Sequence, residues 1–372
     1  MRAVPLIVDA HEDLAWNALT FGRDYTRPAH ATRQTEVNSP IPSQNGNTLL
    51  GLDDYLRGQV AIIFGTLFAS PARRKSGDWD TLTYADAKQA HTLYVRQMDF
   101  YHQLVDEHEQ FALIGSRGDL EKVLGTWKDH EAPKDVQGPE SRRIGLVPLM
   151  EGADGIQEPE QAEWWMERGV RIVGLAWAAT RYAGGTGEPG PLTPDGRRLL
   201  EVMSGLGLIL DLSHASDESF LEALDRFEGT VISSHANARA LWKEETQRPE
   251  RALSDDMIRR LAERGGVTGI VPVNRFLKAD WRSPDGKQAV GLERVAAMID
   301  YVCQITGSAD HVGIGSDFDG GFGVENVPAE IDTVADLGLI GALLKDRGYE
   351  PADVGKIMSG NWLGILRRGL PA

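Results

Sequence analysis

Six polar side chains set the chemical question: His11, Asp13, Glu151, His214, His235 and Asp317. Each stands just past a short apolar run, in Asp9-Ala10-His11-Glu12-Asp13, Met150-Glu151-Gly152, Leu212-Ser213-His214, Ser233-Ser234-His235 and Gly315-Ser316-Asp317-Phe318-Asp319. One at a time they have plain structural readings: a strand-end Asp caps the next helix, and a lone His is a satisfied core or surface group. Gathered round one point they do not, because three imidazoles and three carboxylates buried together are costly without a cation. Nitrogen and oxygen donors of this kind suit zinc or a similar divalent metal. In His11-x-Asp13 the two side chains face the same way along an extended chain and reach one ion. Glu151 has two oxygens with which to bridge two ions, His214 and His235 complete the second, and Asp317 stands near both. Ions about 3.5–4 Å apart hold a hydroxide between them, so the chemistry implied is metal-assisted hydrolysis.

Such a ring needs a scaffold that brings distant segments to one rim. Strand-like runs cover 4–8, 60–68, 144–149, 171–176, 208–212, 230–233, 267–273 and 312–315. They are apolar and branched, without the alternation of a half-exposed strand, as in parallel strands covered on both faces. Amphipathic helical patterns separate them at 84–109, 160–168, 197–206, 218–227, 255–264 and 292–306, and two more follow at 332–347 and 351–368. Several end at glycine. Eight strands with helical crossovers predict a single (β/α)₈ TIM barrel over residues 1–372, with inserted loops over the catalytic face. A doubly wound open sheet is the competitor, but it wants a glycine-rich phosphate loop after its first strand, and Asp9-Ala10-His11-Glu12-Asp13 is not one. Residues 23–48 and 179–196 follow the first and fourth strands, so they are expected on the active-site face. The first is read as a lid, against a plain surface excursion. Residues 130–140 are expected on the opposite face.

Bulk properties narrow the class. The 372 residues suffice for a large core without staples. Lys and Arg number 39 against 55 Asp and Glu, a formal charge of −16, which opposes nucleic acid and anionic membrane as partners. The single cysteine, Cys303, lies in an apolar helical run and reads as a small buried hydrophobe. No apolar run reaches the roughly 18 residues of a membrane span, and the chain enters its first strand without a charged-then-apolar leader. The expectation is a cytoplasmic protein acting on a small molecule.

The chain resembles the membrane (renal) dipeptidase family of zinc metallopeptidases, within the amidohydrolase-type barrels. The resemblance runs from Val8-Asp9-Ala10-His11-Glu12-Asp13-Leu14 through Glu151-Gly152, Asp211-Leu212-Ser213-His214, Ser234-His235 and Gly313-Ile314-Gly315-Ser316-Asp317-Phe318-Asp319-Gly320 to Gly360-Asn361. It implies two zinc ions, other divalent metals being admissible, with His11 and Asp13 on one, His214 and His235 on the other and Glu151 bridging. It implies Asp317 as general acid/base and Arg251 as the grip on a substrate carboxylate, a task that suits a guanidinium fork; a solvated arginine before a helix is the plainer reading. A homodimer and a dipeptide substrate, with a D-residue tolerated at the second position, are also implied. Ser359-Gly360-Asn361 is read as a structural helix start under the site.

One departure concerns specificity. Where the family's best-known dipeptidases carry a histidine after strand four, this chain has Trp177, whose indole N–H donates a hydrogen bond but carries no charge. Trp177 is therefore a candidate substrate-binding residue or a wall aromatic. Ala153-Asp154 likewise stands where many relatives have Gly-His. His311 is read as structural, His30 as a loop residue within reach of substrate, His91, His102 and His108 as solvated, and Arg181 and Tyr182 as pocket-lining. Two other functions share the ligand set: an amidohydrolase acting on N-acyl amino acids or cyclic amides, and a barrel that binds metal or ligand without turnover.

Overall fold

The computed structural model describes residues 5–128, 141–242 and 249–372. Eight parallel strands form the barrel: β1 (Ile7–Glu12), β2 (Val60–Leu67), β3 (Ile144–Met150), β4 (Ile172–Gly174), β5 (Ile209–Asp211), β6 (Val231–Ile232), β7 (Thr268–Ile270) and β8 (Val312–Ile314). Hydrogen-bonded neighbours run β7-β8-β1-β2-β3-β4-β5-β6. The ring closes between β6 and β7 through a parallel bridge from Ser233 to Thr268, with the Ser233 N–H donating to the Val267 carbonyl at 2.9 Å and the Gly269 N–H to the Ser233 carbonyl at 2.8 Å. This is the (β/α)₈ barrel expected. The strands are buried along their length, in keeping with their unbroken apolar runs. Closure needs small residues: a Cβ on Gly269 or Gly315 would stand 1.8 or 1.9 Å from the Ser234 carbonyl oxygen.

Most strands are shorter than the apolar runs that announced them; β3 gains one residue at Met150, and β1 is the instructive exception. β1 continues through Glu12, so Asp9, His11 and Glu12 lie within the strand and are wholly buried. Polarity had placed its end at Val8. The backbone stays extended because these side chains have partners inside, as when Asp9 accepts from the Ser316 N–H at 2.7 Å and ties β1 to the end of β8.

Helices occupy the expected places with ends that move by one to three residues, the one expected over 197–206 starting earlier, at Pro194. Asp86, Thr193 and Ser254 cap theirs with side-chain oxygens. Gly22, Gly207 and Gly307 close theirs in the left-handed conformation. The last two patterns differ from expectation. The first opens as a 3₁₀ turn, Val334–Leu337, before helix Gly338–Asp346. The second contains a π turn, Lys356–Gly360, between Pro351–Gly355 and Asn361–Gly369. Asn361 is thus the first residue of the last α-helical segment, as expected, but runs on from the π turn without a break. It donates to the Ala309 and Val312 carbonyls at 2.7 Å each, and Trp362 donates to the Ile314 carbonyl at 2.9 Å, so this bulge holds β8 from beneath. A short strand, Phe111–Leu113, pairs with β3 outside the barrel path and gave no periodic signal at three residues.

Residues 23–48 are not a bare loop. They contain helices Ala29–Glu36 and Ile41–Asn45 and bring Ser43 and Gln44 to the catalytic-face cavity. Their root is pinned by Arg23, whose buried guanidinium bonds Glu36, Asp319, Asn17 and the Gly46 carbonyl. The segment read over 130–140 lies outside the described residues.

Candidate metal centre

All six sequence-nominated residues meet at the C-terminal rim of the barrel. His11 is on β1 and Asp13 follows it as the N-cap of helix Leu14–Phe21. Glu151 follows β3, His214 follows β5, His235 follows β6 and Asp317 follows β8. His214 and Asp317 have φ of 65° and 60°, left-handed values that cost a non-glycine residue of order 1–3 kcal/mol and gather at functional sites. Gly320 makes room for them: a Cβ there would lie 2.2 Å from Asp317 Oδ1 and 2.8 Å from Asp13 Oδ2.

Glu151 is the hub. Its Oε1 lies 3.2 Å from His214 Nε2 and 3.5 Å from His235 Nε2, while Oε2 lies 3.6 Å from His11 Nε2. The His11 and His235 rings stack with centroids 3.6 Å apart. Three groups each have donor atoms within 4.8 Å of one another: Glu151-His214-His235, His11-Asp13-Asp317 and, behind them, His11-Asp211-His235. All these residues are buried. Asp13, Glu151, His214 and Asp317 face a cavity of about 1050 Å³, with His11 and His235 behind them.

The hydrogen bonds fix the bare nitrogen of His11 and His235. Ser234 Oγ gives its only proton to Asp211 Oδ2 at 2.5 Å, so it accepts from His235 Nδ1 at 2.8 Å and His11 Nδ1 at 3.3 Å. Thr186 Oγ1 meets His214 Nδ1 at 2.9 Å. With Nδ1 protonated on His11 and His235, and on His214 when the Thr186 hydroxyl accepts from it, the Nε2 atoms carry lone pairs. Those of His214 and His235 then stand 2.9 Å apart, both turned to a carboxylate oxygen, and buried His11 Nε2 has no hydrogen-bond partner. A cation satisfies those lone pairs together, and a neighbour that fixes the Nδ1 proton is what a ligating histidine requires. The residues fit a divalent metal pair.

Without an ion, a proton takes the place a cation would fill: burial lowers the His11 imidazole, but Glu151, with Asp13 and Asp317, outweighs this and holds it up at about 9. Burial and the Arg251 charge take His214 down to about 4. Burial raises Asp317 to about 6 against the pull of Arg251 and His11. Burial and repulsion from Glu151 push Asp13 well up. Left to themselves these carboxylates compete for too little positive charge.

Two flanking residues nominated from sequence also reach the cavity. Arg251, at the end of the 3₁₀ turn Pro249–Arg251, is positioned by the two-residue parallel pairing of Asn237–Ala238 with Ala252–Leu253. It donates to the His235 carbonyl at 2.8 Å and to Asp317 Oδ2 at 3.2 Å, and its Cζ stands 4.6 Å from the Phe276 ring centre. It is buried, so the solvated reading is wrong. Trp177 lines the cavity half-buried, its ring 6.2 Å from His214.

The sequence pattern of the family described as "Membrane dipeptidase (Peptidase family M19)" matches residues 1–369. The chain belongs to this family. Among curated relatives, an uncharacterized protein in the pqqA 5′ region of Klebsiella pneumoniae is 30% identical over 238 residues, 61% of this chain and 83% of that protein. Dipeptidase tcpJ of Claviceps purpurea is 31% identical over 238 residues, 60% of this chain and 52% of that protein, so the chain spans about half of tcpJ. A metallo peptidase from Rhodobacter sphaeroides, solved with a phosphinate mimic of the dipeptide L-Ala-D-Ala, superposes with a TM-score of 0.77 at 21% identity, covering 99% of this chain and 100% of that one. At that identity the superposition speaks for the fold.

Within this M19 barrel several functional neighbours escaped the sequence reading. Thr66 donates to Asp13 Oδ1, Tyr94 Oη donates to the Glu151 and Gly152 carbonyls at 2.8 and 3.0 Å, and Asp211 orders Ser234. Thr66 and Tyr94 sit in apolar runs and carry no motif; Asp211 lay inside a quoted motif but without a role. Other expectations fail. Tyr182 is fully buried and donates to the Ile156 carbonyl, and Arg181 pairs with Asp195, so neither lines the cavity. His91 and His102 are half-buried and bonded to the Gly155 and Arg168 carbonyls, not solvated. His30 is exposed and away from the cavity. His311 bonds the Gly266 carbonyl below the barrel, as read. Cys303 is half-buried against the core. No helix among the described residues is long and apolar enough to cross a membrane.

Proposed function

We propose that this chain is a dinuclear, zinc-type dipeptidase in which His11 and Asp13 hold one ion, His214 and His235 the other, and Glu151 both. The observation that carries the reading is the Glu151 carboxylate facing the Nε2 atoms of three imidazoles on the floor of the cavity of an M19 barrel. Metal bound there supplies Lewis acidity to the scissile carbonyl and to a water. Asp317, held above the ordinary carboxylate range by burial, accepts the proton of the attacking water and returns it to the leaving amine. Arg251 has two of its five N–H groups committed, to the His235 carbonyl and Asp317; the others are available to a substrate carboxylate in bidentate fashion. The same contact keeps Asp317 aimed at the reacting bond.

A second reading, hydrolysis of N-acyl amino acids, draws on the half-buried Trp177 beside His214, where an uncharged wall accommodates a bulky acyl group. Both are tested on one sample. Protein with measured metal content is offered dipeptides with L- or D-second residues alongside N-acyl amino acids, before and after chelation. Metal-dependent cleavage of dipeptides supports the first reading, cleavage of acyl amino acids alone the second. Undiminished activity after complete metal removal defeats both.

A further inference from the structure

The cavity rim has two chemically opposite halves. Loops after β6 and β7 supply Arg251, Arg275 and Phe276, with both guanidinium carbons within 4.7 Å of the Phe276 ring centre. The segments after β1, β2 and β4 supply Trp16, on helix Leu14–Phe21, with Phe68, Trp79 and Trp177. These four rings form one continuous wall. Trp177 meets Phe68 at 5.1 Å, Phe68 meets Trp16 at 6.3 Å and Trp16 meets Trp79 at 6.1 Å, each edge-on. The wall starts beside His214 and leads away from the metal ligands. Phe68, Trp79 and Trp177 are each half-buried and line the cavity, so their uncovered faces belong to it. At its outer end two buried polar atoms, the Trp16 indole nitrogen and one Asp80 carboxylate oxygen, have no hydrogen-bond partner, and both residues line the same cavity. At about 1050 Å³ the space exceeds what two small residues fill.

We infer that the aromatic half is the subsite for the side chain of the substrate's first residue, and that the substrate class is dipeptides beginning with a phenyl- or indole-bearing residue. The inference rests on the dipeptidase reading. A dipeptide whose carboxylate is taken by the cationic half lays its scissile carbonyl over the metal ligands and directs its acyl-side residue to the opposite half. There an aromatic ring finds edges and faces at the spacing that aromatic pairs prefer. A methyl side chain leaves most of the wall wet. One methylene in an apolar pocket is worth about 10–200-fold in specificity, so a whole ring against alanine gives at least about 100-fold in kcat/KM.

The test varies the first residue through Ala, Leu, Phe and Trp with the second fixed as L-Ala or D-Ala, on metal-loaded protein. Calorimetric affinities for Ala-D-Ala and Phe-D-Ala accompany the kinetics. The Phe/Ala ratio is expected near 100 in whichever series is cleaved, and the binding ratio is expected to follow it. Trp79→Ala and Phe68→Leu, checked for unaltered metal content and melting, lower the ratio at least about ten-fold. A wild-type ratio near one, or ratios unmoved in both variants, overturns the subsite. If no dipeptide is cleaved but Phe-D-Ala still binds far more tightly, the wall stands and the hydrolytic reading falls.

Discussion

Asp317 and Asp319 are two residues apart after β8, both buried and both left-handed at φ 60° and 62°, yet they belong to opposite kinds of cluster. Asp319 is saturated by the protein itself. Its Oδ1 accepts from the Leu49 N–H at 3.0 Å, and its Oδ2 accepts from Arg23 at 3.1 Å, Tyr25 at 2.8 Å and Thr48 at 2.5 Å. Arg23 in turn spends its other donors on Glu36, Asn17 and the Gly46 carbonyl. The Asp317 side of the rim gathers three carboxylates and three imidazoles round one bonded guanidinium, Arg251, with Arg275 acting only at longer range and His11 Nε2 without a hydrogen-bond partner. The difference teaches how to tell them apart. Where the fold brings its own counter-charge, the cluster fastens the 23–48 segment to the barrel. Where bare donors converge without one, the counter-charge comes from outside.

The sharpest way to break this contrast is to neutralise each aspartate's neighbourhood in turn. Asp317→Asn keeps shape and hydrogen-bonding capacity but cannot take a proton. Turnover is expected to fall about 10²–10⁴-fold with metal content unchanged; steady-state kinetics beside elemental analysis decides, and near-normal turnover removes Asp317 from proton transfer. On the other side, Arg23→Met strands Asp319 and Glu36 as unpaired buried charges. A loss of about 3–5 kcal/mol in urea unfolding is expected, with added metal failing to restore it. A loss below about 1 kcal/mol would mean that Arg23 is no anchor.

The same contrast explains what could be read from the sequence. The eight apolar runs and the polar residues at their ends sufficed for the barrel and for bringing the five candidate ligands and Asp317 to one rim, because buried parallel strands and rim placement follow from local pattern. The Asp319 cluster did not show itself. Arg23, Tyr25 and Thr48 lie in a polar stretch read as a lid, and nothing local says that their partner is nearly 300 residues away. The end of β1 was misplaced for a related reason: Asp9, His11 and Glu12 look like loop residues until their partners across the barrel are known. Arg251 was ambiguous because its burial depends on a two-residue strand pairing too short for any periodicity.

A smaller effect refines the comparison inside the metal side. Ser234 hands its proton to Asp211 and so must accept from two imidazoles at once, which keeps Nε2 of His11 and His235 free. Ser234→Ala removes that acceptor while leaving every nominated ligand in place. The two rings can then take the other tautomer, with the proton on the nitrogen that should coordinate, and Asp211 loses its hydroxyl partner. Metal affinity, measured by competition with a chromophoric chelator, is expected to drop about 10–100-fold. Ser234→Thr, which keeps the hydroxyl, recovers most of it. If Ser234→Ala binds metal as the wild type does, the tautomers are set elsewhere, and the bare nitrogens that distinguish the Asp317 side from the Asp319 side need another cause.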